Sequence, residues 1–236
     1  MKNTLKKKIP LIVGISLIII GVVILILPNI SKEQIKQQSM EIVKQVEEKT
    51  TVKELKDNLE TPTTFEFEEI KSIGLTETLQ SITGTKVNYK LLIGQVVIPS
   101  IEINLPLFNG LTNNNLLAGV ATMKPKQVMG EKNYTIAGHY VLGGNYLFSN
   151  LVDIQQGAIV RVTDKETIFE YKIYKTSKVP ANSLYLLEDK EAEKHGSPII
   201  TLMSCYYYNN NDVRWFAFGE LINSYPYTKE KMESIN

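Results

Sequence analysis

Residues Ile9 to Leu27 read IPLIVGISLIIIGVVILIL without one charged side chain. As a helix rising 1.5 Å per residue, this run is roughly 28 Å long, which matches the hydrocarbon core of a bilayer. Lys2, Lys6, Lys7 and Lys8 crowd its short N-terminal flank, whereas Lys32 and Lys36 on the far side are offset by Glu33 and Glu41. The positive-inside rule therefore puts the N-terminus in the cytoplasm and everything after residue 28 outside the cell. A cleaved signal peptide also starts basic, but its apolar region is shorter, about 7–15 residues, and ends in a small-x-small site. Leu25-Ile26-Leu27-Pro28-Asn29-Ile30 offers no such site. The reading is a retained single-pass anchor over 9–28, preceded by a cytoplasmic basic tail over 1–8.

An exported domain gives the cysteine count its meaning. Such domains use cysteines mostly in pairs, as disulfides. This chain has one, Cys205. It cannot form an intramolecular bridge and is either a reactive group or a small buried hydrophobe. A net charge of +1, with no basic patch in the C-terminal two-thirds, argues against nucleic acid as a partner.

The segment 29–64 reads as a helical stalk. SKEQIKQQSMEIVKQVEEKTTVKELKDNLE is rich in helix formers, and Ile35, Ile42, Val43 and Val46 make a thin apolar stripe, too short for several heptads. A solvated spacer is expected, broken at Thr61-Pro62-Thr63-Thr64. Phe65 to about Ser81 reads as a turn and a short amphipathic helix. From Val87 the texture becomes β. LIGQVVIPSIEINLPLF supplies two alternating segments around Pro99, Tyr134 to Ala137 another, and AIVRVTDKETIFEYKIYKTSKV a hairpin turning near Asp164-Lys165-Glu166. Pro198 to Met203 suits a buried strand, with Trp215 to Leu221 after it. Seven or eight short strands with Gly, Pro and Asn turns predict an all-β, closed or nearly closed barrel, with short helices over Leu116–Ala121 and Tyr185–Lys194. The barrel domain is expected over 65–224, followed by a polar tail over 225–236.

Scarce residues mark the candidate site. Besides Cys205 there are two histidines, His139 and His195, and two arginines, Arg161 and Arg214. His139 follows the strand TIAG, Cys205 ends the run IITLMS, and Arg214 opens WFAFGEL across a Tyr- and Asn-rich loop. A thiol with pKa near 8.5 is a few per cent thiolate at neutral pH, so a neighbouring imidazole helps as partner and proton donor. Arginine stays charged and offers several donors to a carbonyl or oxyanion. His195 reads as a surface-loop residue, and Arg161, alternating with Val160 and Val162, as the outward face of a strand. No HExxH, CxxC, EF-hand or Walker A pattern is present. No metal site and no cofactor are expected.

TLMSC ending at Cys205 resembles the sortase TLxTC signature, with Ser204 where Thr is usual. TIAGH ending at His139 resembles the strand carrying that family's histidine, and Arg214 matches its third essential residue. The similarity runs over roughly residues 65 to 222, including IPSIEINLPLFNGL and ATMKPKQVMGEKNYTIAGHY. It implies an eight-stranded sortase β-barrel of the class A, housekeeping type, with an N-terminal transmembrane helix. It further implies a cysteine transpeptidase that cleaves an LPXTG-like sorting signal after Thr. The thioacyl-enzyme on Cys205 would pass to an amine of a lipid-linked peptidoglycan precursor, attaching surface proteins to the cell wall. His139 would act as general acid, then base, and Arg214 as oxyanion or substrate clamp. A substrate groove is implied near Ala137, Met203, Ser204 and the loop from Val179 to Leu186, with Pro180 and Leu184 as apolar walls. Some relatives bind calcium through acidic residues before the histidine strand. Lys124 and Lys126 occupy that stretch here, so no calcium activation is expected. The Cys205-Tyr206-Tyr207-Tyr208 run and the Asn-rich loop after it depart from the family pattern and bear on motif preference.

Three rivals stand beside this reading. A pilin-polymerising sortase shares the signature but usually carries a lid and a C-terminal membrane span, and Tyr225 to Asn236 is short and polar. A papain-like peptidase places Cys before His, the reverse of the order here. An inactive, anchored peptide-binding module has no need of the Cys, His and Arg set.

Overall fold

In a computed structural model of the protein, residues 2–65, 78, 80–82, 84–141, 144–208 and 211–233 are described, those at 2–9, 11, 205–208, 211, 212 and 233 by their backbone. Eight strands close into a barrel: β1 (Leu92–Ile98), β2 (Ile103–Phe108), β3 (Val120–Thr122), β4 (Asn133–Gly138), β5 (Ile159–Thr163), β6 (Thr167–Pro180), β7 (Ile199–Tyr208) and β8 (Asn211–Pro226). Their order around the barrel is β1-β2-β3-β4-β7-β8-β6-β5, with β5 returning to β1. Only β2–β3 and β4–β7 pair in parallel; the other neighbours are antiparallel. The sequence reading expected a short helix over Leu116–Ala121. The helix is instead Asn113–Leu116, and Val120–Thr122 is the three-residue strand β3. Three residues are too few to show a period of two, which hid that strand.

Side-chain alternation along the strands sorts most buried apolar residues described into two large clusters. Tyr134, Ile136, Ile200, Leu202 and Ala217 fill the barrel interior with Val96, Val160, Val162, Tyr171 and Ile173. Their neighbours in sequence, Ala137, Met203, Phe216 and Phe218, lie in a second cluster with Leu186 and Leu187. That cluster also takes in Ile42, Val46 and Leu55 of the N-terminal helices, while Ile35 packs with the first.

Helix α1 runs from Lys2 to Glu48, with Pro10 and Pro28 inside it. Its N-terminal part is long and apolar enough to cross a membrane and is not buried against the rest of the fold. Beyond it the helix does not form the solvated spacer expected. Ser31, Ile35, Ser39, Ile42, Val43 and Val46 are all buried, a spacing near i, i+4 that keeps one helical face on the barrel. Ser39 Oγ donates to Ala118 O at 2.6 Å. Lys165 Nζ, at the β5–β6 turn, donates to Glu47 O at 3.1 Å and Thr50 O at 2.7 Å, satisfying carbonyls at the helix end. Helix α2 (Val52–Leu59) opens with a reciprocal capping box between Thr51 and Glu54 and buries Leu55. The helix expected between Phe65 and Ser81 falls largely outside the described residues.

Two further readings change. Arg161 does not face solvent: it is 1% exposed and pairs with Glu170 at 2.8 Å, directly across the β5–β6 hairpin. Tyr225 Oη donates to the same carboxylate at 2.9 Å. Alternation with valines identifies one face of a strand, but in a closed barrel wrapped by other segments either face can be dry. His195, read as a surface-loop residue, stacks on Tyr174 with ring centroids 4.2 Å apart and meets Glu220 at 3.2 Å, ending the helix Lys190–His195.

Candidate active site

The register of three adjacent strands brings the scarce residues into one row. Gly138 on β4 is paired with Ser204 on β7, and His139 and Cys205 each follow by one residue. Cys205 is itself paired with Arg214 on β8, and Arg214 with Val179 on β6. Neighbouring strands lie about 4.8 Å apart, so His139, Cys205, Arg214 and Val179 occupy successive strands at one level. The row below them, two residues away along each strand, is Ala137, Met203 and Phe216, an apolar floor continuous with Leu186 and Leu187.

His139 is fully buried, and its surroundings are fixed by the backbone. Its carbonyl accepts from Phe148 N at 3.1 Å, while Phe148 O accepts from Ser204 Oγ at 3.2 Å. Val141 N donates to Ser149 Oγ at 3.0 Å. Phe148 thus ties the loop behind the histidine both to His139, just past β4, and to β7, and Ser149 closes the loop on Val141. Gly138 is part of this arrangement. A Cβ there would come within 2.7 Å of the Phe148 ring, so only glycine lets the aromatic ring pack beneath the strand end. Arg214 is half-buried and Nη1 donates to Val213 O at 3.3 Å.

A family model described as the sortase domain matches residues 96–222, more than half of the chain and the whole of this constellation. The chain belongs to the sortase family. Sortase A of Bacillus anthracis is 31% identical to it over 93% of this chain and 97% of that protein. Sortase A of Listeria monocytogenes is 29% identical over 96% of each, and that of Streptococcus agalactiae 35% identical over 80% of this chain and 75% of that protein. The crystal structure of the Listeria sortase A superposes with a TM-score of 0.55 at 30% identity, covering 61% of this chain and 99% of that one. The eight-stranded barrel is therefore the sortase fold, as the sequence reading expected.

The other residues assigned to the groove divide. Ala137 and Met203 lie on the apolar floor, and Val179 packs against the same cluster. Pro180 pairs with Val213 at the exposed end of β6. Leu184 is 43% exposed in the turn Leu184–Leu187, whose next residues but one, Leu186 and Leu187, are buried against the floor. Ser204 does not line this face. Strand alternation turns it the other way, fully buried and bonded to Phe148 O. Leu186, the end of the loop expected at the groove, packs on the floor, whereas Phe216 and Leu187 were missed as floor and wall. Phe216 was within reach of sequence, being two residues from Arg214 on one strand.

The segment carrying Leu186 and Leu187 is pinned by polar contacts that the sequence did not reveal. Buried Asn133 donates from Nδ2 to Leu186 O and to Glu188 O, each at 3.1 Å, and accepts from Thr201 Oγ1 at 2.7 Å. Next to it, Lys124 Nζ donates to Asp189 Oδ1 at 2.6 Å, with Lys132 at 3.5 Å. Burial pushes the Asp189 carboxyl up, but the hydrogen bond and charge of Lys124, with Lys132, outweigh it and hold the group below the usual carboxylate range. Lys126 lines the same surface recess as these residues. Among the described residues no cluster of three or more His, Cys, Asp and Glu forms a metal-binding group.

Proposed function

We propose that this chain is a class A type sortase, a membrane-anchored cysteine transpeptidase that cleaves an LPXTG-like signal after its Thr. The observation that carries this reading is the row His139, Cys205 and Arg214, just past the end of β4 and on β7 and β8, set above an apolar floor in a chain of this family. Three relatives named sortase A, each aligned over most of this chain, support the class.

In the first half-reaction the Cys205 thiolate attacks the Thr carbonyl carbon, and the Arg214 guanidinium donates to the developing oxyanion. Collapse breaks the Thr–Gly bond, with protonated His139 giving its proton to the leaving amine. A thioester remains on Cys205. In the second half-reaction the amine of a lipid-linked peptidoglycan precursor attacks that thioester, neutral His139 takes its proton, and the thiolate leaves. Bonds, protons and charge return to their starting state with the surface protein joined to the new amine. The floor of Ala137, Met203 and Phe216 suits the apolar leucine and proline of the signal, with Val179, Pro180 and Leu184 at its border. The chain sits with its N-terminus in the cytoplasm and its barrel outside.

The test uses the full-length chain in detergent micelles, a quenched LPXTG-type peptide and an amine. Cleavage with an amine adduct, abolished in Cys205→Ala, is the expected result. Turnover that survives that substitution would falsify the thiol mechanism. Hydrolysis without adduct would make the protein a peptidase instead.

A further inference from the structure

The apolar run ends at Leu27, and the helix meets the rest of the fold almost at once. Ser31 is already buried, its hydroxyl bonded to that of Ser81 in the segment before β1, and Ile35, one turn on, packs with the barrel's interior residues. Four helical residues span about 6 Å, which is no more than the head-group layer on one side of a bilayer. Past that point α1 has no slack. It is one helix from Lys2 to Glu48, and Ile35, Ser39, Ile42 and Val46 hold it along the barrel wall.

The contacts along α1 also fix which part of the barrel comes first. Near its membrane end, the Lys32 ammonium lies 5.9 Å from the centre of the Tyr146 ring. Gln38 Nε2 donates to Thr85 O and Ser39 Oγ to Ala118 O. Tyr146 belongs to the loop whose Phe148 N returns to His139 O, and Ala118 is two residues before Val120, the partner of Gly138. Near the far end, Glu47 meets Gln95 and Lys165 of the β5–β6 turn. From Lys32 to Glu47 the helix rises about 22 Å.

We infer that α1 is a rigid spacer that holds the end of the barrel carrying the His139 loop against the head-group surface of the bilayer in which the same helix is anchored. The surface so presented has an interfacial chemistry: Lys32 and Lys36 on the helix and Tyr146 on the loop are residue types that sit at the level of anionic head groups. The β5–β6 turn points away. Resting on the proposed transpeptidase reading, the consequence is that an acceptor amine attached to a lipid meets the thioester without leaving the membrane surface.

The test reads distance first and chemistry second. Single cysteines at Asn145→Cys and Glu166→Cys, in a Cys205→Ala full-length background, carry a donor dye. The protein is reconstituted in phosphatidylcholine vesicles containing phosphatidylglycerol, with acceptor dye on the head groups of both leaflets. Energy transfer is expected to be stronger from position 145 than from 166. A flexible Gly-Ser insertion after Pro28 should erase that difference. A helical insertion of about seven residues, lifting the barrel by about 10 Å, should weaken transfer from both positions and keep their order. Circular dichroism confirms that each variant is folded. Equal transfer from the two positions, a reversed order, or a difference that survives the flexible insertion overturns the inference. With Cys205 intact, the same flexible insertion should slow transfer to a lipid-linked amine at least tenfold and leave transfer to a soluble amine unchanged; equal slowing of both overturns it. If the unmodified chain reacts with neither amine, the transpeptidase reading fails while the distance result still decides the orientation.

Discussion

At Gly138 the absence of a side chain is a requirement of the histidine beside it. A methyl group there would meet the Phe148 ring at 2.7 Å, and Phe148 bonds through its backbone to both His139 and Ser204. Gly138→Ala is therefore expected to cost roughly 1–3 kcal/mol by overpacking and to lower kcat at least tenfold while KM for the peptide changes little. Thermal unfolding and steady-state kinetics check the two halves, and an unchanged kcat would remove Phe148 from the positioning of His139. On the other side of the candidate groove, Lys124 holds Asp189, two residues after the segment bearing Leu186 and Leu187. Because the folded Asp189 carboxyl titrates lower than an unfolded one, the contribution of the pair is present above the ordinary carboxylate range and is lost as pH falls through the depressed value. Activity governed by this contact is expected to be flat near neutrality and to fall only below about pH 4. Lys124→Ala should raise KM for the peptide several-fold, with added calcium failing to restore it. Unaltered KM, or rescue by calcium, contradicts this role.

Among the elements, the β5–β6 hairpin shows where sequence reading stops. Its turn at Asp164-Lys165-Glu166 was legible, because turn residues separate two alternating runs. The ion pair that crosses it was not. Arg161 and Glu170 are nine residues apart and paired only once the hairpin register is known. The candidate catalytic row was legible for a different reason: the sequence pattern puts Cys205, His139 and Arg214 each near a strand end, and their residue types are rare in this chain. Which strands are neighbours was invisible, since β4 and β7 pair in parallel across sixty-odd residues of intervening chain. The buried pair yields a prediction at this scale. Arg161→Ala leaves a carboxylate uncompensated in a dry site and is expected to destabilise by about 3–5 kcal/mol. Replacing both partners, as Arg161→Met with Glu170→Leu, should recover most of that loss. Chemical unfolding of the single and double variants measures it, and a double variant no better than the single would mean that the lost packing, not the stranded charge, sets the cost.

At the scale of the whole molecule, the boundary between anchor and enzyme does not fall where the composition changes. The stretch 29–64 is polar and helix-forming, so it reads as a stalk, yet its thin stripe of Ile35, Ile42, Val43 and Val46, with Leu55, is buried against the barrel. Each such side chain contributes about 1.5–3 kcal/mol when fully removed from water. A fragment beginning at residue 65 leaves the matching faces of Leu91, Leu92, Phe108 and Leu116 without their cover. A fragment beginning at residue 29 retains it. The shorter fragment is thus expected to unfold at least about 5 °C lower, given roughly 2–4 °C per kcal/mol for a domain of this size, and to bind more of an apolar dye. Equal melting temperatures would show that the helices lie on the barrel without stabilising it. Because the same helix leads directly into the apolar run long enough to cross a membrane, its contribution to stability and its proposed control of orientation have one cause, the continuous buried face from Ser31 to Val46. A polar substitution in that face, such as Ile42→Asp, should therefore lower the melting temperature of the full chain and loosen the barrel from the bilayer surface together.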